Sequence, residues 1–262
     1  MQIIKTNPLK TSLDLFLNNA SISGAIWRRT EIAALSGITL KRPVLDLGCG
    51  DGRFTKLMFS GKLDYGLDIS KGAIEKARKN KIYKSYIISD AHIIPLPDKS
   101  IQTVFSNSVF EHIPNLLPVL AELSRVLKPS GKIIFTTHSP LSKNFYGVRI
   151  LKKLNLNRIA RIYEKIFCQM LQLKTVWDKE TWYKNLNSVG FEAQEIHTIV
   201  SPKTAFWYEL FMPITFLQNR IPILKKMKMT KLVLFFMRPN FSEPHPEGRN
   251  FFIVAQKRNT LR

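Results

Sequence analysis

Short apolar runs, several closed by glycine or an acid, alternate along this chain with stretches of helical period. Between Leu9 and Leu40 the residues suit helix, with Leu13, Phe16 and Leu17 spaced for one face and Ile26, Trp27, Ile32 and Leu35 for another. Gly24 is expected to separate two helices, Gly37 to end the second, and Pro43 to launch the first strand. Val44, Leu45 and Leu47 flank Asp46 in a run that reads as a buried parallel strand. Leu63–Ile69 reads as a second strand, and Ser70 caps a helix over Lys71–Asn80 with Ala73, Ile74 and Ala77 inward. Third, fourth and fifth strands are expected at Ser85–Ser89, Ile101–Ser106 and Lys132–Thr137, with a helix over Leu116–Leu127. A further helix over Trp177–Gly190, capped by Asp178 and stopped by Gly190, precedes strands at Phe191–Val200 and Asn250–Lys257. Strands alternating with helices argue for an open α/β sheet.

The first strand runs into Gly48-Cys49-Gly50-Asp51-Gly52. Glycine tolerates positive φ and lets a ligand approach the backbone, and ligands of open α/β sheets sit at the carboxyl ends of strands. A dinucleotide fingerprint G-x-G-x-x-G would need glycine at 53, where the chain has Arg53. Asp68, at the end of the second strand, is placed to accept hydrogen bonds from two ribose hydroxyls, which suits a group that only accepts.

With Asp46 ahead of G-x-G-x-G, this segment resembles motif I of the class I S-adenosylmethionine-dependent methyltransferases. The run from Asp90-Ala91 through Ile94-Pro95-Leu96-Pro97, the fourth strand and Val109-Phe110-Glu111-His112 resembles the methyltransferase family often labelled type 11, as does Leu127-Lys128-Pro129-Ser130-Gly131. Gln102 departs from that pattern, which has Asp there. The resemblance covers residues 41–140. It implies a three-layer, Rossmann-like, doubly wound α/β fold: a seven-stranded sheet with its last strand antiparallel, carrying helical insertions. It implies S-adenosyl-L-methionine as cofactor, with Asp46, Gly48, Cys49, Gly50 and Gly52 around its methionine end. Asp68, with Ile69 beside it, would meet the ribose; Asp90 would accept from the adenine amine and Ala91 would donate to a ring nitrogen. Asn107 is counted with the cofactor contacts, and with Ser108 it would lie where the methyl group meets the acceptor.

The remaining segments are expected to form an N-terminal helical cap over 1–40 and a helical acceptor-side insertion over 141–176. Residues 177–201 and 248–262 would complete the sheet, and 202–247 would be a second insertion. The net charge of +21 is concentrated late: residues 1–140 carry 19 Lys/Arg against 11 Asp/Glu, and residues 141–240 carry 17 against 6. Such a field favours anionic partners. Ala205–Leu217 is nearly all apolar and aromatic, the cluster Arg220, Lys225, Lys226, Lys228 and Lys231 follows, and Leu232–Met237 is apolar again. Neither apolar run reaches the ~20 residues that span a bilayer, and aromatic residues beside lysines suit a segment lying on an anionic membrane.

Cys49 and Cys168 make neither a disulfide framework nor a zinc pattern, which suits a reducing cytoplasm, and the first residues lack a signal-peptide core. Expected localisation is therefore cytoplasmic, at the inner face of the membrane. His138, at the end of the fifth strand, and His112 are the candidate general bases. Base methylation is disfavoured: Ser106–Phe110 has none of the prolines of amino-group nucleobase methylases, and neither cysteine is placed as a nucleophile. The leading expectation is methyl transfer to a small, glycan or lipid-linked acceptor. An RNA methyltransferase using the basic half, and a non-catalytic cofactor-binding scaffold, remain as alternatives.

Overall fold

In the computed structural model, residues 3–6, 21–143, 145–220 and 247–259 are described, with the side chains of 218–220 left aside. Leu13, Phe16, Leu17 and the basic and apolar positions from 221 to 246 therefore lie outside the described residues.

Seven strands form the central sheet: β3 (Val44–Leu47), β4 (Leu63–Asp68), β5 (Tyr83–Ile88), β6 (Ile101–Asn107), β7 (Leu127–His138), β8 (Phe191–Ile199) and β9 (Asn250–Lys257). Their order is β5-β4-β3-β6-β7-β9-β8, parallel except for β9, which runs antiparallel to both β7 and β8. This is the expected Rossmann-like fold. The chain winds outward from β3 to β5 and then returns to the other side of β3 as β6, so the crevice at the carboxyl ends of β3 and β6 is a topological switch point.

Side-chain parity along β3 divides the core. Val44 joins one apolar layer with Trp27, Ile74 and Phe105, while Leu45 and Leu47 join the other with Val104, Phe110 and Trp182. The first layer is covered by α1 (Ile22–Ala34), α2 (Arg53–Met58) and α3 (Lys71–Asn80); the second by α4 (Leu116–Val126) and α7 (Lys179–Ser188). In α4, Leu116, Val119, Leu120, Leu123 and Val126 are buried on one stripe, each contributing about 1.5–3 kcal/mol of burial. Ser70 and Asp178 cap α3 and α7 as expected, their side chains accepting from the Ala73 and Thr181 amides.

Two local expectations need correction. Gly24 does not separate helices; it lies in the first turn of α1, where the Ser21 hydroxyl caps its N–H. A Cβ at 24 would stand 2.9 Å from that hydroxyl oxygen, so glycine here admits the cap. The Lys128–Gly131 turn is likewise absorbed into β7, which starts at Leu127. Ile101 pairs Leu127 but Thr103 already pairs Lys132, and the surplus residues are accommodated as an irregularity with Ser130 at φ 59°. A small antiparallel pair, β1 (Ile3–Lys5) with β2 (Thr39–Lys41), was not anticipated.

The described parts of the two insertions are helical: α5 (Tyr146–Lys153), α6 (Asn157–Leu171) and α8 (Pro202–Arg220). Phe145, Val148, Ala160, Phe167 and Met212 bind them together. Ser23 of α1 hydrogen-bonds Thr215 and the Tyr208 carbonyl of α8, so α5, α6, α8 and α1 pack as one helical group, the cap. Among the described residues no helix is long and apolar enough to cross a membrane.

Candidate active site

The glycine loop folds back over the end of β4, with the amides of Gly48 and Cys49 both donating to the Leu67 carbonyl at 2.8 and 3.0 Å. That reversal needs positive φ, and Gly48, Gly50 and Gly52 stand at 68°, 55° and 72°. Asp68 clamps the loop from β4: its Oδ2 accepts from Gly50 N–H and its Oδ1 from Ser70 N–H, each at 2.8 Å. A carboxylate has further lone pairs to offer a ligand.

A cavity of about 410 Å³ opens beside this loop, and Gly48, Asp68, Ile69, Asp90 and Ala91 line it. His92, Ser108, Val109 and His112 complete much of its wall. Asp90 Oδ1 takes both the His92 amide and its ring Nδ1, and neither of these bonds uses Oδ2. The backbone N–H of His92, then its ring, holds Asp90 below the usual carboxylate range, and the same pairing raises His92. Sequence reasoning passed over His92; Asp-x-His spacing, which lets a carboxylate close on the residue two ahead, was its signal. At Gly48 a Cβ would collide with the Val109 side chain. Gly48→Ala is accordingly expected to cost about 1–3 kcal/mol in strain and to weaken cofactor binding, read by thermal melting and calorimetry.

Asp46 is not at the crevice. Parity puts it on the Val44 face beneath the loop, where its Oδ2 accepts from the Thr55 hydroxyl and the Tyr83 phenol, both at 2.5 Å. Burial pushes it up to about 7 against those two hydrogen bonds, with Asp68 adding repulsion. It ties α2 to β5 and so supports the loop from behind. Gly52 is also structural, since a Cβ there would meet Ile82 and Tyr83. The Cys49 thiol is buried and its pKa is raised by that burial, which makes it unreactive. Gly50 keeps its amide on Asp68, and a Cβ at 50 would meet nothing within 4 Å.

At the carboxyl end of β6, Asn107 and Ser108 both reach Glu31 of α1, a residue sequence reasoning missed. Its fully buried carboxylate accepts from Trp27 Nε1 (3.1 Å), Arg28 (2.7 Å), Asn107 Nδ2 (3.1 Å) and the Ser108 hydroxyl. Asn107 Oδ1 accepts from Thr136, so its amide is engaged within the protein at both ends. Glu31 is the one acid of α1 and lies three residues past Arg28, which was the available signal.

His138 is buried behind Trp27, with the rings stacked at 4.8 Å, and does not line the crevice cavity, whereas His112 does. His138 Nε2 lies 3.8 Å from Glu111 Oε1; that oxygen and His138 Nδ1 are buried without a hydrogen bond, while Glu111 Oε2 accepts from Thr137. Burial pushes Glu111 up to about 8 and His138 down to about 3, so both are neutral near pH 7. A histidine so depressed is a poor general base.

These shifts give a pH signature. Glu111 and Asp46 hold protons more tightly folded than unfolded, so the stability they contribute is complete in acid and is lost as pH rises toward about 8 and about 7. His138 works oppositely, but its contribution is already complete above its unfolded value of about 6.5. Wild-type Tm is therefore expected to fall between neutral and mildly alkaline pH, and Glu111→Gln to flatten the fall. An unchanged slope in a melting series would show that Glu111 does not carry it.

Glycine loop, strand-end carboxylates and switch-point crevice define a class I methyltransferase-type cofactor site. The family model for a methyltransferase domain matches residues 45–135 of this chain. A malonyl-[acyl-carrier protein] O-methyltransferase of Yersinia pestis is 38% identical over 95 residues, 36% of this chain and 36% of that protein. The counterpart from Serratia marcescens is 37% identical over a stretch of the same length, so little more than a third of these relatives is matched. An uncharacterized protein of Methanocaldococcus jannaschii is 29% identical over 187 residues, 67% of this chain and 71% of its own. A solved S-adenosylmethionine-dependent methyltransferase from Thermotoga maritima shares the fold at TM-score 0.59 and 16% identity, covering 93% of this chain and 92% of its own.

Proposed function

We propose that this chain transfers a methyl group from S-adenosylmethionine to a nucleophilic oxygen, nitrogen or carbon of a small, carrier-linked, glycan or lipid-linked acceptor. The observation that carries the reading is the convergence of Asp68, Asp90 and Gly48 on one cavity at the switch point. Asp68 would hold the ribose hydroxyls, Asp90 and Ala91 the adenine edge, and the Gly48–Gly50 backbone the amino-acid end. Bound there, the cofactor supplies an electrophilic methyl on a sulfonium. The protein's share is alignment and exclusion of water, which positioning alone makes worth several kcal/mol. Ser108 and His112 line the cavity beyond the loop and would face an acceptor, and the Ser108 hydroxyl is held by Glu31 of α1. The malonyl-carrier relatives support a carboxyl or carrier-linked acceptor, and the basic second half supports an anionic one. A place at the cytoplasmic membrane face fits the same charge.

The test is incubation with methyl-labelled cofactor and fractionated extract. Label in a lipid, glycan, carrier-linked or small-molecule pool supports the reading. Label only in RNA would move the protein to the nucleic-acid class, and no transfer to any pool would leave a cofactor-binding scaffold.

A further inference from the structure

The α5–α6 hairpin carries an apolar face that is exposed among the described residues. In α6, Phe167 and Ala160 point into the cap core, but Ile159, Ile162, Ile166 and Met170, spaced three and four apart, are 51%, 54%, 49% and 39% exposed. Ile150 and Leu154 of the preceding turns extend the strip at 55% and 62%. A helix needs one apolar stripe to pack against its domain, and this one has a second, adjacent to the first. Arg158, Arg161 and Lys165 flank the stripe on its other side, with Lys152 and Lys153 at the end of α5, all exposed. Exposed isoleucines in register are an unfavourable solvent surface, and contiguous ones mark a contact site.

We infer that this face docks on an anionic lipid bilayer, with the isoleucine stripe entering the headgroup–acyl boundary and the basic flank meeting lipid phosphates. The charge decides among occupants. A helix with an apolar stripe beside Lys and Arg matches an interfacial segment in composition and geometry, whereas two copies meeting here would bring together chains of net charge +21 and two rows of cations. The hairpin is continuous with the cap: Phe145 and Met212 join it to α8, and α8 is bonded through Thr215 and Tyr208 to α1 above Glu31. Docking would therefore set the cap, and the acceptor end beneath it, against the bilayer. The inference deepens the methyl-transfer reading by naming the surface from which a lipid-linked acceptor is drawn, and its test is kept separate from that reading.

Flotation of the full chain with phosphatidylcholine vesicles, with and without phosphatidylglycerol, tests it. Wild type is expected to float with the phosphatidylglycerol vesicles, less with phosphatidylcholine alone, and less again in high salt. Ile162→Glu with Ile166→Glu is expected to lower vesicle partition by at least about tenfold. Both residues are exposed, so circular dichroism and calorimetry with S-adenosylhomocysteine should match wild type. A double variant that floats like wild type, or a wild type that stays off anionic vesicles, overturns the inference. So does a concentration-dependent dimer in sedimentation that these substitutions abolish, which would assign the face to a second copy. Flotation without S-adenosylhomocysteine binding would instead count against the methyltransferase reading and leave the docking face standing.

Discussion

Replacing Asp68 with alanine is expected to lower affinity for S-adenosylhomocysteine by about a hundredfold or more, measured by calorimetry. Two effects add. In the proposed pose the carboxylate accepts from both ribose hydroxyls, and hydrogen bonds to a charged acceptor are worth about 1.5–3 kcal/mol each, with tenfold in affinity per ~1.4 kcal/mol. The same carboxylate holds Gly50 N–H at 2.8 Å, so its loss also frees the loop that shapes the amino-acid end of the cavity. Asp68→Asn keeps an acceptor oxygen and is expected to fall between alanine and wild type. Equal affinity in wild type and Asp68→Ala, with circular dichroism unchanged, would show that the cofactor lies elsewhere.

Glu31→Ala is expected to be the most destabilising single change at the site, by about 3–5 kcal/mol in the denaturant midpoint. Its carboxylate is fully buried and accepts from four donors on three elements: Trp27 and Arg28 of α1, Asn107 at the end of β6, and Ser108 beyond it. Removal leaves Arg28, whose pKa Glu31 helps to raise against the desolvation of burial, without its partner carboxylate. It also strips two polar side chains at the acceptor end of their shared acceptor, and unsatisfied buried donors cost more than the bonds contributed. Glu31→Gln keeps one accepting oxygen but turns an amide donor toward donors, so an intermediate loss is expected. A midpoint within about 0.5 kcal/mol of wild type would mean the cap is not latched through Glu31.

The sheet was legible because its signals are local. Val44–Leu47 alternates around an acid and ends in glycines, Ser70 and Asp178 are side-chain caps, and Gly190 at φ 87° stops α7 as its position implies. The motifs around Asp68, Asp90 and the glycine loop were legible too, since their spacing reports where strands end. Asp46 was misplaced despite an available signal: it shares parity with Val44 on a four-residue strand buried on both faces, and so points into a layer. Where both faces are buried, alternation no longer distinguishes inside from outside by polarity, and an acid inside the strand read as a ligand contact.

The acceptor side was not legible, for a different reason. Glu31 meets Ser108 across 77 positions and Ser23 meets Thr215 across 192, and no periodicity in either segment predicts such partners. The stripe on α6 shows the same limit. Its apolar period is plain in the sequence, yet only packing reveals that Ala160 and Phe167 fill the cap while Ile159, Ile162 and Ile166 are left outside.

By itself, then, the chain determined its strand–helix alternation, its glycine loop and the strand-end carboxylates Asp68 and Asp90, because each depends on neighbours within a turn or a strand. Tertiary structure alone decided that Asp46 supports the loop from below, that Glu31 latches the cap to Asn107 and Ser108, and that His138 is buried in its neutral form. Those outcomes depend on which distant surfaces exclude water from a polar group, and desolvation is set by the whole fold.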